Sequence, residues 1–187
     1  MFAYIVLLLA VLSRILPHAF HATAWNFTAI GGGLLFFGSR MGSGRSGAKL
    51  VSALAVLIAT DYYLTVFVYG YPFQPRWYLA TWVWYAAVCL LGMGILQKPS
   101  VLRVAAGTLA SATSFFLLSN FMVWAGGGMY PRSLAGLGAC YTAAIPFYRN
   151  DLVSTAITAG ALFGLPVLAA KIVESLHAVQ NNNLPTA

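Results

Sequence analysis

Asp61 is one of only three acidic residues in the chain, and it falls inside an apolar run, Leu50 to Tyr69. It lies about 11 residues into that run, roughly 17 Å from its start at helical rise. A carboxylate at such depth in a membrane costs on the order of 2.5–3.5 kcal/mol, so it faces inward and finds a partner. Arg14 and Arg149, both near the ends of apolar runs, are the candidates. Two roles stay open for Asp61: a structural ion pair, or a carboxylate in a pocket or ion pathway.

Arg149-Asn150-Asp151 is the second polar cluster. Asn150 or Asp151 could cap a helix by accepting its free N–H groups, and a carboxylate suits the positive end of the dipole. Arg149 sits poorly at a helix N-terminus. It is better placed to pair with Asp61 or to meet a phosphate or carboxylate on a ligand. His18 and His21 could touch a ligand, bind metal or sit in a solvated loop. With no cysteine or carboxylate nearby they form a weak metal set, and no metal is expected. The stretch Gly42 to Lys49 is glycine-rich and basic. It lacks the Gly-Lys-Ser/Thr ending and preceding strand of a phosphate loop, and reads as a flexible basic loop. Cys89 and Cys140 lie singly in apolar segments and read as small buried hydrophobes. No Ser-His-Asp spacing, HExxH or paired carboxylate motif occurs, so no enzyme activity is expected.

The elements that must hold these residues are set by composition. Of 187 residues, 60% are hydrophobic and 7% charged, and mean hydropathy is +0.81. A soluble domain carries roughly 25% charged residues. Thirteen charges cannot solvate such a surface, so most of it faces lipid. The net charge of +7 is scattered between apolar runs, which fits membrane orientation rather than nucleic acid. A span takes about 20 apolar residues, which limits the chain to six or seven. The Ala22-x-Ala24 pattern superficially resembles a signal-peptide cleavage site, but no basic segment precedes it and Arg14 interrupts the approach. The first run reads as a retained helix.

Pro, Gly and charge divide the chain into runs at about 1–16, 27–39, 50–69, 77–96, 101–124 and 151–177. Ser133 to Phe147 is apolar but only about 15 residues, roughly 22 Å of helix. Gly136, Gly138 and Pro146 weaken it further. The expectation is an all-α polytopic membrane protein: one domain, 1–187, in a six-helix bundle, with 133–147 re-entrant or interfacial before the last span. Gly160 and Gly164 form a GxxxG pair that Ala156 extends, suited to close helix packing inside the bundle or to an oligomer face.

With both termini on one side, that side receives Arg40, Arg45, Lys49, Lys98, Arg103 and Lys171; the other receives Arg14, Arg76, Arg132 and Arg149. Six against four puts the termini in the cytoplasm. Polar and aromatic residues then gather outside, where an aromatic belt or a pocket for an amphipathic ligand would each use them.

Arg14-Ile15-Leu16-Pro17-His18, Trp25-Asn26-Phe27-Thr28, Ser119–Trp124, Met129-Tyr130-Pro131-Arg132-Ser133-Leu134-Ala135-Gly136 and the stretch from Cys140 to Asn150 occur together. These segments resemble an uncharacterised family of small bacterial integral membrane proteins. That family is similar to the substrate-binding S-components of energy-coupling-factor transporters, and nearest in function to the BtuM-like solitary cobalamin transporters. The resemblance implies a six-helix bundle in a bacterial inner membrane that takes up a vitamin-like solute at its outer face. Cobalamin is the first guess for that ligand, and no cofactor is implied. Gly70 to Tyr85 holds no cysteine, and the first helix lacks an Ala-xxx-Ala stripe. Cobalt ligation would thus fall to histidine or be absent, and the protein would act alone. Carried over by position, His18 or His21, Asp61, Tyr85 and Arg149 would line the pocket. Trp25, Asn26, Tyr71, Arg76 and Trp77 join them from the outer face. The expected partners are lipid and a small solute. The alternative is a non-catalytic subunit of a larger membrane complex, docked against other membrane subunits.

Overall fold

A computed structural model describes residues 1–15, 27–42 and 44–182, with side chains to residue 177. Among the described residues all regular structure is helical. The elements are α1 (Phe2–Leu12), α2 (Ile30–Ser39), α3 (Ser46–Tyr63), α4 (Leu79–Ile95), α5 (Val101–Gly126) and α6 (Leu134–Asn182). A π-helical turn, Leu64–Val68, continues α3, and a 3₁₀ turn, Pro75–Trp77, leads into α4. Ser100 caps α5 by accepting from the Arg103 amide at 3.3 Å, and Gly127, at φ 75°, ends it. Ser133 caps α6 by accepting from the Gly136 amide at 3.1 Å.

The centre is α2, in which every residue is buried. It packs against α1, α4, α5 and α6, while α3 lies on α4 and α1. Glycine permits this crowding. A Cβ on Gly38 would overlap the main-chain carbonyl of Cys89, and one on Gly92 would overlap that of Leu35. The two helices thus meet backbone to backbone, the contact that holds helices together where lipid removes the hydrophobic drive. Phe36 adds edge-on ring contacts to Phe2 at 5.8 Å and Phe163 at 5.4 Å.

Three helical stretches are long and apolar enough to cross a membrane: Ser46–Val68, Val101–Gly126 and Leu134–His177. Phe2–Leu12, Ile30–Ser39 and Leu79–Ile95 are apolar but shorter. The last region corrects the sequence reading. No separate interfacial segment at 133–147 precedes a span at 151–177; both belong to one helix of 49 residues. Pro146 and Pro166 lie inside it, and each removes only one ladder bond. In an apolar setting the helix remains the state that satisfies the remaining backbone. Gly136 serves close approach to the Pro131 carbonyl rather than a break. Asn150 and Asp151 are therefore interior to α6 and cap nothing.

Of the two roles open to the Gly160–Gly164 pair, close packing inside the bundle does not occur, since a Cβ on either meets nothing within 4 Å. The pair borders an open groove between α5 and α6, of about 740 Å³, with Ala105, Thr108 and Ala156.

The bundle has two distinct ends. Met1, Arg40 and Lys49 share one, where Lys49 Nζ donates to the Met41 carbonyl at 2.6 Å, and Pro99, Ser100 and Lys171 meet at the same end. Arg76 and Gly127 lie at the other, where Arg132 donates to the Ala125 carbonyl at 3.1 Å. Helix α2, at roughly 15 Å for ten residues, reaches only about halfway. Its first turn is level with Ser111 of α5 and Thr155 of α6. Toward the Arg76 end, the space framed by α4, α5 and α6 holds no central helix among the described residues.

Candidate functional site

Asp61 is 1% exposed, and its carboxylate gathers donors from two other elements. An Arg14 amino group donates to Oδ1 from just beyond α1. Trp82 Nε1 donates to Oδ2 at 2.8 Å, and the Tyr85 hydroxyl approaches Oδ1 at 3.5 Å, both from α4. Stacked rings position the indole: Phe73 on Tyr78 at 5.2 Å, and Tyr78 on Trp82 at 6.1 Å. The Thr65 hydroxyl donates to the Asp61 carbonyl at 2.6 Å and so accepts from Tyr78, also at 2.6 Å. The π turn that follows Asp61 thus brings Thr65 back over it, a local widening often found at functional sites. The partner of Asp61 is therefore Arg14. The other candidate, Arg149, does not meet Asp61, because it lies far along α6, on an exposed face beside Tyr148. The Tyr148 hydroxyl meets Thr113, near the middle of α5, at 2.9 Å.

This node ties α1, α3 and α4 together, and its ligands are mostly used up. One Arg14 nitrogen, Nη1, is buried without a hydrogen-bond partner among the described residues.

Two clefts open in the Arg76 half of the bundle. The larger, about 610 Å³, lies between α4 and α5 and is lined by Arg76, Trp77, Thr81, Leu118 and Met122. The smaller, about 180 Å³, lies between α5 and α6 and is lined by Phe116, Asn120, Phe147, Tyr148 and Asp151. Phe115 and Ser119 border both, so the two adjoin across the same face of α5. Just below, Ser111 Oγ and Thr155 Oγ1 are buried without hydrogen-bond partners among the described residues. They lie 3.1 and 2.5 Å from where a Cβ on Gly31 would stand, so only glycine leaves room there.

The expected site residues divide accordingly. Asp61 and Tyr85 meet at the ion-pair node; Arg76 and Trp77 border the larger cleft. Arg76 donates to Gln74 Oε1 at 2.9 Å and lies over the Trp77 ring at 5.9 Å. Tyr71 is 68% exposed in the α3–α4 connection. His18, His21, Trp25 and Asn26 lie outside the described residues. The Ala29 amide donates to Ser13 Oγ at 2.9 Å. Sequence reasoning missed Trp82, Phe115, Ser119 and Asn120. The polar pair Ser119-Asn120 within an apolar run was the available signal; nothing in the sequence marks Trp82.

A bundle of apolar helices with polar groups turned inward defines a helical membrane protein. The chain belongs to a family of unknown function, DUF6580, which matches residues 1–176. No curated protein and no solved structure matches it.

Proposed function

We propose that this chain binds a small amphipathic solute in the Arg76 half of a six-span bundle and moves it across a bacterial inner membrane. The observation that carries the reading is the pair of adjoining clefts at the end where α2 stops short. Apolar walls with a few fixed polar groups are the usual makeup of a small-molecule site. Phe115, Leu118 and Met122 supply walls, while Arg76, Thr81, Ser119 and Asn120 supply polar contacts. The Arg76 end faces outward and both termini are cytoplasmic. With Arg149 in the interior of α6, the basic residues stand six against three for that orientation. Inward passage requires α2 to shift, because its buried residues fill the other half.

The resemblance to S-components favours a vitamin-like solute, with cobalamin as one candidate. Neither cysteine supports cobalt ligation: Cys89 is sealed between α2 and α4, and Cys140 donates to the Asn120 carbonyl at 3.4 Å. Mass spectrometry of the purified protein tests the reading. A small molecule should be released from wild type and be missing from Ser119→Trp, which sets an indole at the border the two clefts share. Release of nothing but lipid from wild type would defeat it.

The groove beside Gly160 and Gly164 favours a second reading, a non-catalytic subunit that receives a partner's helix there. Stoichiometric co-purification with other membrane subunits, lost in Gly160→Leu, would establish that instead.

A further inference from the structure

We propose that the smaller cleft recognises an organic cation, a protonated amine or quaternary ammonium group, with Asp151 as its counter-ion. This names the chemistry of the proposed solute site and rests on that reading. Asp151 is 8% exposed and borders the cleft. No hydrogen bond or ion pair reaches its carboxylate from the described residues, and Arg149, two residues away, points to the exposed face. A carboxylate held within a membrane-spanning helix requires a partner. Asp61 has Arg14; Asp151 has an open cleft.

The walls supply the rest. Phe115, Phe116, Phe147 and Tyr148 surround the cleft, and aromatic faces attract cations through the ring quadrupole, the basis of ammonium-binding cages. Two of these rings are held in place: Tyr148 packs on Phe116 at 4.8 Å, and Phe115 packs on Trp84 at 4.7 Å. Asn120 and Ser119 add polar atoms at the rim. A neutral solute would leave the carboxylate unmatched, and an anion would be repelled by it.

Radiolabelled choline binding to the purified full-length protein, read by scintillation proximity, tests this. Binding should saturate, and tetramethylammonium should displace it. Equal concentrations of sodium, or of 3,3-dimethylbutan-1-ol, the uncharged isostere of choline, should not. Asp151→Asn should weaken binding at least tenfold, and Phe147→Ala, at a half-exposed position that leaves folding intact, several-fold. Absent saturable binding, equal displacement by the neutral isostere or by sodium, or unchanged affinity in Asp151→Asn would each overturn the proposal. Choline binding through Asp151 by a protein that carries nothing into vesicles upholds this site and refutes transport. Release of a co-purifying solute without Asp151-dependent choline binding does the reverse.

Discussion

Removing both partners of the Arg14–Asp61 pair should cost less than the sum of the losses from removing each alone. Asp61→Asn keeps the shape but leaves the Arg14 guanidinium, 18% exposed, without a counter-charge. It also sets the amide NH2 against one of two donors, the Arg14 guanidinium or the Trp82 indole N–H. Breaking a buried pair costs about 3–5 kcal/mol, and this change belongs near 4. Arg14→Gln leaves the carboxylate with the Trp82 donor at 2.8 Å and the longer Tyr85 contact, so about 3 kcal/mol is expected. Additive losses would reach about 7 kcal/mol; the double variant should lose about 5, a coupling of about 2. Unfolding by SDS titration in mixed micelles, followed by tryptophan fluorescence, measures all three. Arg149→Gln is the control and should change stability by less than about 0.5 kcal/mol, as befits an exposed residue. Additivity of the Arg14 and Asp61 losses within about 0.5 kcal/mol would refute the pairing. Coupling of Asp61 to Arg149 instead would refute the placement of α6.

Gly38→Ala and Gly92→Ala should each destabilise by about 1–3 kcal/mol or more, since the added methyl meets main chain that cannot turn aside. Gly164→Ala, in open space, should be neutral or stabilise by up to about 1 kcal/mol, and the same titration distinguishes the two classes. Reporter fusions after Arg45 and after Lys98 should read cytoplasmic, and one in the Gly70–Arg76 loop external; an external signal at Arg45 would invert the bundle.

The helical class was legible because composition alone excludes a solvated surface, and five of the runs lie close to the observed helices. The last boundary was misread because Pro146 and the polar Arg149-Asn150-Asp151 look like a break. Proline's effect depends on surroundings that a local pattern does not contain. Glycine was misread for a similar reason. The GxxxG spacing at Gly160 carries a known packing rule, yet the close contacts fall at Gly38 and Gly92, whose partners lie on another helix. Asp61 was found because a lone carboxylate in an apolar run is rare. Its partner was not singled out, because choosing between Arg14 and Arg149 requires the helix order around α2. Phe115 and Ser119 gain meaning only from the short reach of α2, which leaves their half of the bundle open.

Thiol labelling at Ser119 tests most directly whether the cleft opens outward. Both native cysteines are buried, so a Ser119→Cys variant carries the reactive thiol against a low background. In intact cells a membrane-impermeant maleimide should modify it, whereas a cysteine at Val101, at the opposite end, should react only after the membrane is permeabilised. A Ser119→Cys thiol that stays unreactive until the protein is denatured would contradict an outward-facing binding cleft.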